Sequence, residues 1–397
     1  MSGPLRILTN VHRLTSTFNR FVESEKSSGV LLIACTLIAI ALTNSALGPL
    51  YLGFWQLHIA GLSLEHWIND GLMAIFFLLI GLELERELYV GELSDFKNAL
   101  LPIVAALGGM AAPALFHYLL NAGLPTQNGV GIPMATDIAF ALGVLAILGA
   151  RIPTSLKVFV VAFAVIDDLG AIVLIALFYT ADVSTFYLAA ALTLWLVLLL
   201  MNRLWRITAL LPYLLGGAIM WVLMLKSGIH ATVTGVMLAF AIPFSARAED
   251  QASPSHRLEN FLHKPAAFLI LPIFALANTG ILFESGWIDG LLSANSLGIA
   301  AGLVLGKPVG ILVLCMLAVA AGVCRLPADL GWRHIAGAGL LGGIGFTMSI
   351  FITNLAFAGE TELINASKMA ILMASLTAGL GGLLWLRYGA WRPVRRT

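Results

Sequence analysis

The chain has 397 residues, of which 59% are hydrophobic and only 11% are charged, and its formal net charge is +1. Soluble domains carry charged side chains at about a quarter of their positions. The composition therefore excludes an ordinary soluble domain and predicts a membrane protein with many spans, in agreement with a mean hydropathy of +0.95. The near-neutral charge gives no reason to expect a nucleic-acid partner.

The first 26 residues are more polar than the chain that follows, and their apolar side chains recur at helical spacing. A helix with one apolar face and basic residues on its other faces lies in the membrane interface. We therefore expect residues 1–26 to form a cytoplasmic amphipathic segment. The apolar positions are Ile7, Val11, Leu14, Phe18 and Phe21, and the basic positions are Arg6, Arg13 and Arg20.

Beyond residue 26, apolar stretches of about 20 residues recur, and each is long enough to cross a bilayer as a helix. They predict an all-α polytopic membrane protein that forms a single transmembrane domain over residues 1–397. The twelve predicted segments are 28–45, 67–88, 99–120, 129–148, 156–180, 184–202, 208–224, 227–244, 259–282, 296–319, 333–356 and 363–386.

Basic side chains give these segments an orientation. With an even number of spans and a cytoplasmic amino terminus, 19 of the 22 Lys and Arg residues fall on the cytoplasmic side. Only Lys226, Lys307 and Lys368 do not. Cytoplasmic loops are enriched in Lys and Arg, and an odd number of spans would scramble the distribution. We therefore expect both termini to be cytoplasmic.

The stretch 47–65 is too polar and too interrupted by glycine to form a span. Trp55, Leu57 and Ile59 alternate with less apolar residues, and this alternation is typical of a strand. On this evidence, residues 47–65 form either a short β-hairpin on the outer face or an irregular loop.

Two adjacent aspartates, Asp167 and Asp168, interrupt the fifth apolar segment. An ionisable group at the centre of a membrane helix costs about 2.5–3.5 kcal/mol on insertion scales, and it marks an ion or proton site by default. Neighbouring helical residues point about 100° apart, so the two carboxyl groups cannot face each other as a clasped pair. One of them can face a water-filled cavity while the other turns to an adjacent helix.

Two further charges lie deep in predicted segments, Asp137 in the fourth and Lys307 in the tenth. Left unpaired, the four deep charges would cost about 10–14 kcal/mol on the same scale, which is comparable to a whole protein's stability of about 5–15 kcal/mol. We expect them to be paired, protonated or hydrated. Lys307 is the only deep partner for one of the adjacent aspartates. A purely structural ion pair would leave the other aspartate without a role.

Two segments contain residues that interrupt helices. Pro133 precedes Asp137 in the fourth segment, and five of the nine residues 337–345 in the eleventh segment are glycine. Each is the middle segment of a triplet, about 99–180 and about 296–386. The eleventh segment comes seven spans after the fourth. Successive spans alternate in direction and seven is odd, so the two triplets enter the membrane in opposite directions. This predicts an inverted repeat with the site where the broken helices meet, although the glycines would also fit close helix packing.

These motifs closely resemble those of the NhaA-type sodium/proton antiporters, from about residue 27 to residue 387. The resemblance implies twelve helices, with the fourth and eleventh broken and crossed. It also implies electrogenic exchange of Na⁺ or Li⁺ for protons without a cofactor, and a role in pH and sodium homeostasis at the bacterial inner membrane. The matching stretches are 67–70, 135–143, 166–170, 226–232, 306–308 and 345–351.

The resemblance also assigns roles to residues. By match, Asp168 and Asp167 are the ion- and proton-binding pair that holds Na⁺, and Thr136 lies beside the ion. Asp137 and Lys307 match residues that offset the charges of the broken helix ends, and Lys307 also matches the partner of Asp167.

Activation by alkaline pH through a cytoplasmic cluster is a further implication of the resemblance. Taken alone, the helical spacing of the first three cluster positions would more often be a solvated end of a span. The family's proteins form homodimers, partly through an outer hairpin, and this favours the hairpin interpretation of 47–65. The residues that match the cluster are Glu83, Arg86, Glu87, Glu259 and His263, while Asn260 stands where some relatives have histidine.

The chemistry of buried carboxyl groups is consistent with exchange. Na⁺ is a hard cation and prefers oxygen ligands, by analogy with Ca²⁺ and Mg²⁺. Burial in general raises the pKa of a carboxyl group, so that a proton and Na⁺ compete for the same oxygen atoms. Two rival functions are an intramembrane aspartyl protease, whose Gly-x-Gly-Asp motif does not occur in the sequence, and a symporter or passive cation channel. We expect a transporter and not an enzyme.

Overall fold

The computed structural model describes residues 27–179, 183–245, 253–283 and 287–389, and the predicted amphipathic segment 1–26 lies outside these ranges. Within them the chain is mostly helical. Nine helices are long and apolar enough to cross a membrane, or up to eleven if each of two bent helix pairs is one span. The chain is therefore a multi-pass membrane protein, as its composition predicts.

The helices of the described ranges follow the predicted segments within a few residues, with the exceptions considered below. They are α1 (Ser27–Thr43), α2 (Gly48–Trp55), α3 (Leu64–Tyr89), α4 (Phe96–Asn121), α5 (Ile138–Leu148), α6 (Thr154–Phe178), α7 (Thr185–Arg203), α8 (Leu210–Ser227), α9 (Val233–Ala239), α10 (Pro254–Asn278), α11 (Trp287–Leu291), α12 (Ala294–Ala320), α13 (Trp332–Gly342), α14 (Phe346–Ala356) and α15 (Thr361–Gly389), with 3₁₀ helices at Glu92–Ser94, Pro125–Met134 and Gly149–Arg151.

The predicted segment 227–244 is shorter as a helix than its hydropathy suggests. Gly228 ends α8 in the left-handed conformation, with φ at 84°, and only the seven residues of α9 are helical before Pro243. A helix of seven residues is about 10 Å long, which is too short to cross a bilayer. Hydropathy reports burial and not conformation, and α9 is buried against α3.

The stretch 47–65 contains a hairpin, but the hairpin is smaller than predicted. Strands β1 (His58–Ile59) and β2 (Leu62–Ser63) pair antiparallel, with His58 opposite Ser63. Ala60 and Gly61 both have positive φ, at 52° and 84°, as a two-residue hairpin turn requires. The first half of the stretch forms α2 instead, where Pro49 occupies the first turn of the helix, a position that suits proline.

Both helices that were predicted to be interrupted are interrupted. The 3₁₀ helix Pro125–Met134 is separated from α5 by residues 135–137, and α13 is separated from α14 by a bend of 47°. The two breaks touch each other. The N–H of Asp137 donates to the carbonyl of Ile344 at 2.6 Å, and the Ser349 hydroxyl donates to the carbonyl of Ile132 at 2.7 Å. We call the two breaks, residues 135–137 and 343–345, the junction.

The largest hydrophobic core surrounds the junction and includes Leu142, Phe163, Leu303 and Phe346. At the periphery, few residues of α7 and α8 are buried, which is expected of helices that face lipid. The junction thus lies at the centre of the helices and not at their lipid-facing edge.

Candidate functional site

Asp137 lies between the amino-terminal ends of α5 and α14 and caps both. Its Oδ1 accepts a hydrogen bond from the N–H of Phe140 at 3.1 Å. Its Oδ2 accepts from the N–H of Thr347 at 3.1 Å and also from the Thr347 hydroxyl. Helix amino termini carry unsatisfied N–H groups and a partial positive charge. One carboxylate therefore offsets the charge of two helix ends.

The carboxy-terminal ends at the junction have side-chain donors as well. The Lys307 ammonium donates to the carbonyl of Met134, the last residue of its 3₁₀ helix. The Thr136 hydroxyl lies 2.9 Å from the carbonyl oxygen of Gly342, the last residue of α13. These two side chains can thus donate to backbone carbonyls at the ends of the helices, where no further turn of helix supplies a hydrogen-bond donor.

Lys307 and Asp167 form an ion pair that is fully buried. Their Nζ and Oδ2 atoms lie 2.6 Å apart, and both side chains are 0% exposed. The Thr136 hydroxyl oxygen lies 2.6 Å from the Lys307 Nζ and 2.7 Å from the Asp167 Oδ2. The single hydroxyl hydrogen of Thr136 can serve Asp167 or Gly342 but not both at once. The ammonium is therefore surrounded by a carboxylate, a hydroxyl and a backbone carbonyl.

Asp168 has different surroundings. It is 1% exposed and lines a cavity of about 50 Å³. Within the described ranges, no residue donates a hydrogen bond to its Oδ1. An ordered water needs about 10–15 Å³ of such space, so the cavity can accommodate a cation that keeps part of its hydration shell.

The wall around Asp168 is rich in oxygen atoms. Thr136, Asp137 and Thr347 line the same cavity, and oxygen atoms are the ligands that hard cations prefer. No three His, Cys, Asp or Glu side chains meet as a group able to hold a metal ion in the part of the chain that the structure describes. A Na⁺ ion beside Asp168 and Asp167 would therefore need hydroxyl, backbone or water oxygens to complete its ligand set.

Comparison with known proteins identifies the family. The family described as Na+/H+ antiporter 1 matches residues 19–386. This chain is 66% identical to the Na(+)/H(+) antiporter NhaA of Dechloromonas aromatica over 376 residues, which are 95% of this chain and 97% of the relative. The chain belongs to the Na⁺/H⁺ antiporter 1 family. It is also 55% identical to NhaA of Cytophaga hutchinsonii over 382 residues, 96% of this chain and 98% of the relative. For NhaA of Vibrio campbellii the identity is 48% over 370 residues, 93% of this chain and 94% of the relative.

Membership of the Na⁺/H⁺ antiporter 1 family confirms the resemblance that the motifs indicated, and it makes the chain a relative of transporters. The residues that the resemblance predicts to form a pH-sensing cluster also come together. Arg86 Nε lies 3.0 Å from Glu259 Oε1, and Arg86 Nη2 lies 3.3 Å from Glu87 Oε1. Glu83 and His263 line the cavity that contains Asp168. Two of the five cluster residues and Asp168 therefore face one shared space.

Three buried charged residues of this family member were not singled out from the sequence. Asp70, Glu85 and Lys368 are each at most 7% exposed. Asp70 pairs with His66 at 2.8 Å, and Glu85 lies 3.4 Å from the Ser255 hydroxyl. Lys307 is therefore not the only buried lysine. Each of the three lies inside a predicted segment, and this position could have indicated burial. Each also lies near a segment end, however, where a charged side chain is normally solvated.

Proposed function

We propose that this protein is a secondary transporter that exchanges Na⁺, or Li⁺, for protons. The observation that carries the proposal is the contrast between two adjacent aspartates. One oxygen of each carboxylate lacks a hydrogen-bond partner in the described ranges, but Asp167 is neutralised by Lys307, whereas Asp168 lines a cavity. The relatives named above are called Na⁺/H⁺ antiporters, which supports the same function.

Asp168 is the group for which the two ions compete. A proton makes its carboxyl group neutral, and a Na⁺ ion compensates its negative charge. A deprotonated and empty site would instead leave a buried charge uncompensated, which is costly. The site therefore favours movement between the two sides of the membrane only when it is occupied, and the two ions move in opposite directions without ATP.

Asp167 and Thr136 join Asp168 as the ion-binding residues. The three oxygens around the Lys307 ammonium are of the type that Na⁺ prefers, so an entering cation competes with Lys307 for them. Lys307 either loses a proton at this step or remains a fixed counter-charge. More than one proton site close to one cation site supports electrogenic exchange, in which more than one proton moves for each Na⁺.

The finer features of the fold belong to the same proposal. We infer twelve spans, with α9 and its flanking turns in place of a regular eighth helix. We also infer inverted repeats at about 99–180 and 296–386, with the two broken helices crossed at the junction. The contacts between the breaks support this arrangement. The bias of Lys and Arg supports cytoplasmic positions for both termini, and the resemblance supports a bacterial inner membrane as the location.

Activation at alkaline pH is proposed to arise from the cluster of Glu83, Arg86, Glu87, Glu259 and His263. Support comes from the cavity, because two of the cluster side chains face the space that Asp168 faces. Titration of the cluster can thereby change the field in the cation's path. Such an antiporter would contribute to pH and sodium homeostasis.

A homodimer is proposed from the hairpin, and the position of the hairpin between the first two predicted spans supports an outer-face location. Leu57 and Ile59 are 55% and 56% exposed, and a two-stranded sheet has unpaired edges that can pair with another chain.

Transport in everted membrane vesicles tests the proposed function. With an acid interior, added Na⁺ should collapse the pH gradient when the protein is present, and Asp168→Asn should abolish this response while the protein stays folded. Normal exchange by Asp168→Asn would contradict the site. A passive channel would instead carry Na⁺ current without moving protons, and a protease would cleave added transmembrane peptides.

A further inference from the structure

Three helices that form walls of the cavity are joined to one another by asparagine side chains. The cavity is lined by residues of α3, α10 and α14, and these helices carry Asn69, Asn278 and Asn354 respectively. Asn278 Nδ2 donates to Asn69 Oδ1 at 2.8 Å, and Asn354 Nδ2 donates to Asn278 Oδ1 at 2.6 Å. We call these three residues the asparagine ladder.

The ladder lies at one end of the cavity and the pH cluster lies at the other. Along α10, His263 and then Leu271 line the cavity before the helix reaches Asn278. Along α3 the order is reversed, with Asn69 followed by the cavity residues Phe76 and Glu83. Asn278 lies seven positions after Leu271, which is about two turns or about 10 Å of helix. The ladder is therefore at the outer end if the cluster is cytoplasmic.

A layer of aromatic rings lies beside the cavity and, on two of the three helices, stands between the cavity and the ladder. Phe77, Phe274 and Phe351 come one from each of the same three helices and are at most 1% exposed. The ring centroids of Phe77 and Phe351 lie 5.6 Å apart, and those of Phe274 and Phe351 lie 6.3 Å apart. Along α10 and α14, the phenylalanine stands between the cavity residue and the asparagine. Packed rings without polar atoms exclude water and hydrated ions.

The ladder crosses a boundary between two parts of the fold. Asn354 belongs to α14, which packs mainly on the 3₁₀ helix Pro125–Met134 and on α15 and which brings Thr347 to Asp137. Asn69 and Asn278 belong to the opposite wall of the cavity. A displacement of α14 from that wall would separate Asn354 from Asn278 and open the aromatic layer toward the ion site.

We propose that the asparagine ladder is the latch of the outer gate. Its hydrogen bonds hold the aromatic layer closed and break each time the site is exposed to the outer solution. Neutral amides suit this role because hydrogen bonds between them within a membrane are modest in strength, whereas a charged side chain in the path would repel or trap the transported cation. The inference rests on the proposed exchange and adds to it the place where the outer path closes.

Locking the ladder covalently tests the gate. The three native cysteines are buried and are first replaced by alanine. Asn278→Cys and Asn354→Cys are then introduced together, and the protein is reconstituted and oxidised with copper phenanthroline to form a disulfide. We expect Na⁺/H⁺ exchange to fall at least tenfold and to return after reduction. Na⁺ binding to the oxidised protein, measured by calorimetry, should remain because the cavity still opens toward the cluster.

A second cysteine pair serves as the matched control. Asn295→Cys with Ser367→Cys replaces a contact of 2.7 Å between α12 and α15, two helices that do not line the cavity. Its oxidation should leave exchange within twofold of the reduced protein. Exchange at an unchanged rate through the cross-linked 278/354 pair would overturn the gate. If even the reduced and unmodified proteins fail to exchange, it is the proposed function that is wrong.

A removal variant keeps the proposal testable if the cysteine pair fails to fold. In Asn354→Ala with Met348→Cys as a reporter, a membrane-impermeant maleimide added from the outer side should react at least tenfold faster than with the reporter alone. Thr353→Val is the control, because among the described residues the Thr353 hydroxyl bonds only within its own helix, to the Ser349 carbonyl at 2.8 Å. Equal labelling rates in all three proteins would overturn the latch.

Discussion

Asp167 and Asp168 are neighbours in the chain, yet their carboxyl groups meet different surroundings. The helical angle of about 100° between them turns one toward Lys307 and the other into the cavity. This divergence could be predicted from the sequence because it needs only local helix geometry. The contact of Thr136 with both members of the ion pair depends on tertiary structure, and the family resemblance indicated only that Thr136 lies beside the ion.

The ion pair predicts a non-additive pair of substitutions. Lys307→Met leaves Asp167 buried without its partner, and this should lower the free energy of unfolding by about 3–5 kcal/mol. Adding Asp167→Asn removes the stranded charge and should recover most of that loss. Thermal unfolding in detergent measures both, with Lys226→Met as the control outside the pair. Equal and additive losses would contradict a neutralising pair.

Asp167→Asn alone should lose exchange, and the double variant should regain some of it.

Thr136 predicts a change in cation affinity. Thr136→Val removes one hydroxyl from the oxygen set, and a hydrogen bond to a charged group is worth about 1.5–3 kcal/mol. The Na⁺ concentration for half-maximal exchange should therefore rise by about one to two orders of magnitude, while Thr136→Ser should stay close to the unmodified chain. A Thr136→Val protein with unaltered Na⁺ dependence would remove Thr136 from the site.

At the scale of elements, the sequence predicted the breaks within the two interrupted helices better than it predicted the other helices and their ends. Pro133 and the glycines of 337–345 disfavour helix wherever they stand, so both breaks could be located before the fold was known. The seven-residue α9 and the helix α2 were not predicted, because hydropathy and alternation describe burial more than conformation. The asparagine ladder also gave no signal, since uncharged side chains carry little insertion penalty and their partners are about 76 and 209 positions away.

The double cap at the junction predicts a loss of stability. Each helix cap is worth about 0.5–2 kcal/mol, so Asp137→Ala should lower the free energy of unfolding by about 1–4 kcal/mol. Ser184→Ala is the matched control, because Ser184 stands at the start of α7 without a side-chain cap. Thermal unfolding of the purified proteins makes the comparison. Equal melting temperatures for the two variants would contradict a capping role for Asp137.

At the scale of the whole molecule, the hairpin predicts how copies of the chain associate. Leu57→Ser with Ile59→Ser makes its exposed apolar surface polar, and this should convert most of a dimer into monomer. Native mass spectrometry in detergent reports the ratio. Leu119→Ser is the control, since Leu119 is 68% exposed on α4 and does not belong to the hairpin. A dimer that survives the hairpin substitutions, or that depends equally on Leu119, would assign the interface elsewhere.

The central claim is that one buried carboxyl site takes either Na⁺ or a proton, and calorimetric titration of Na⁺ into the purified protein at several pH values tests it most directly. If one proton is displaced for each Na⁺ bound, the apparent dissociation constant should rise by up to about tenfold for every unit by which the pH is lowered through the titration of the site. Asp168→Asn should show no such binding. Sodium binding of unchanged strength from alkaline to acidic pH would contradict the account.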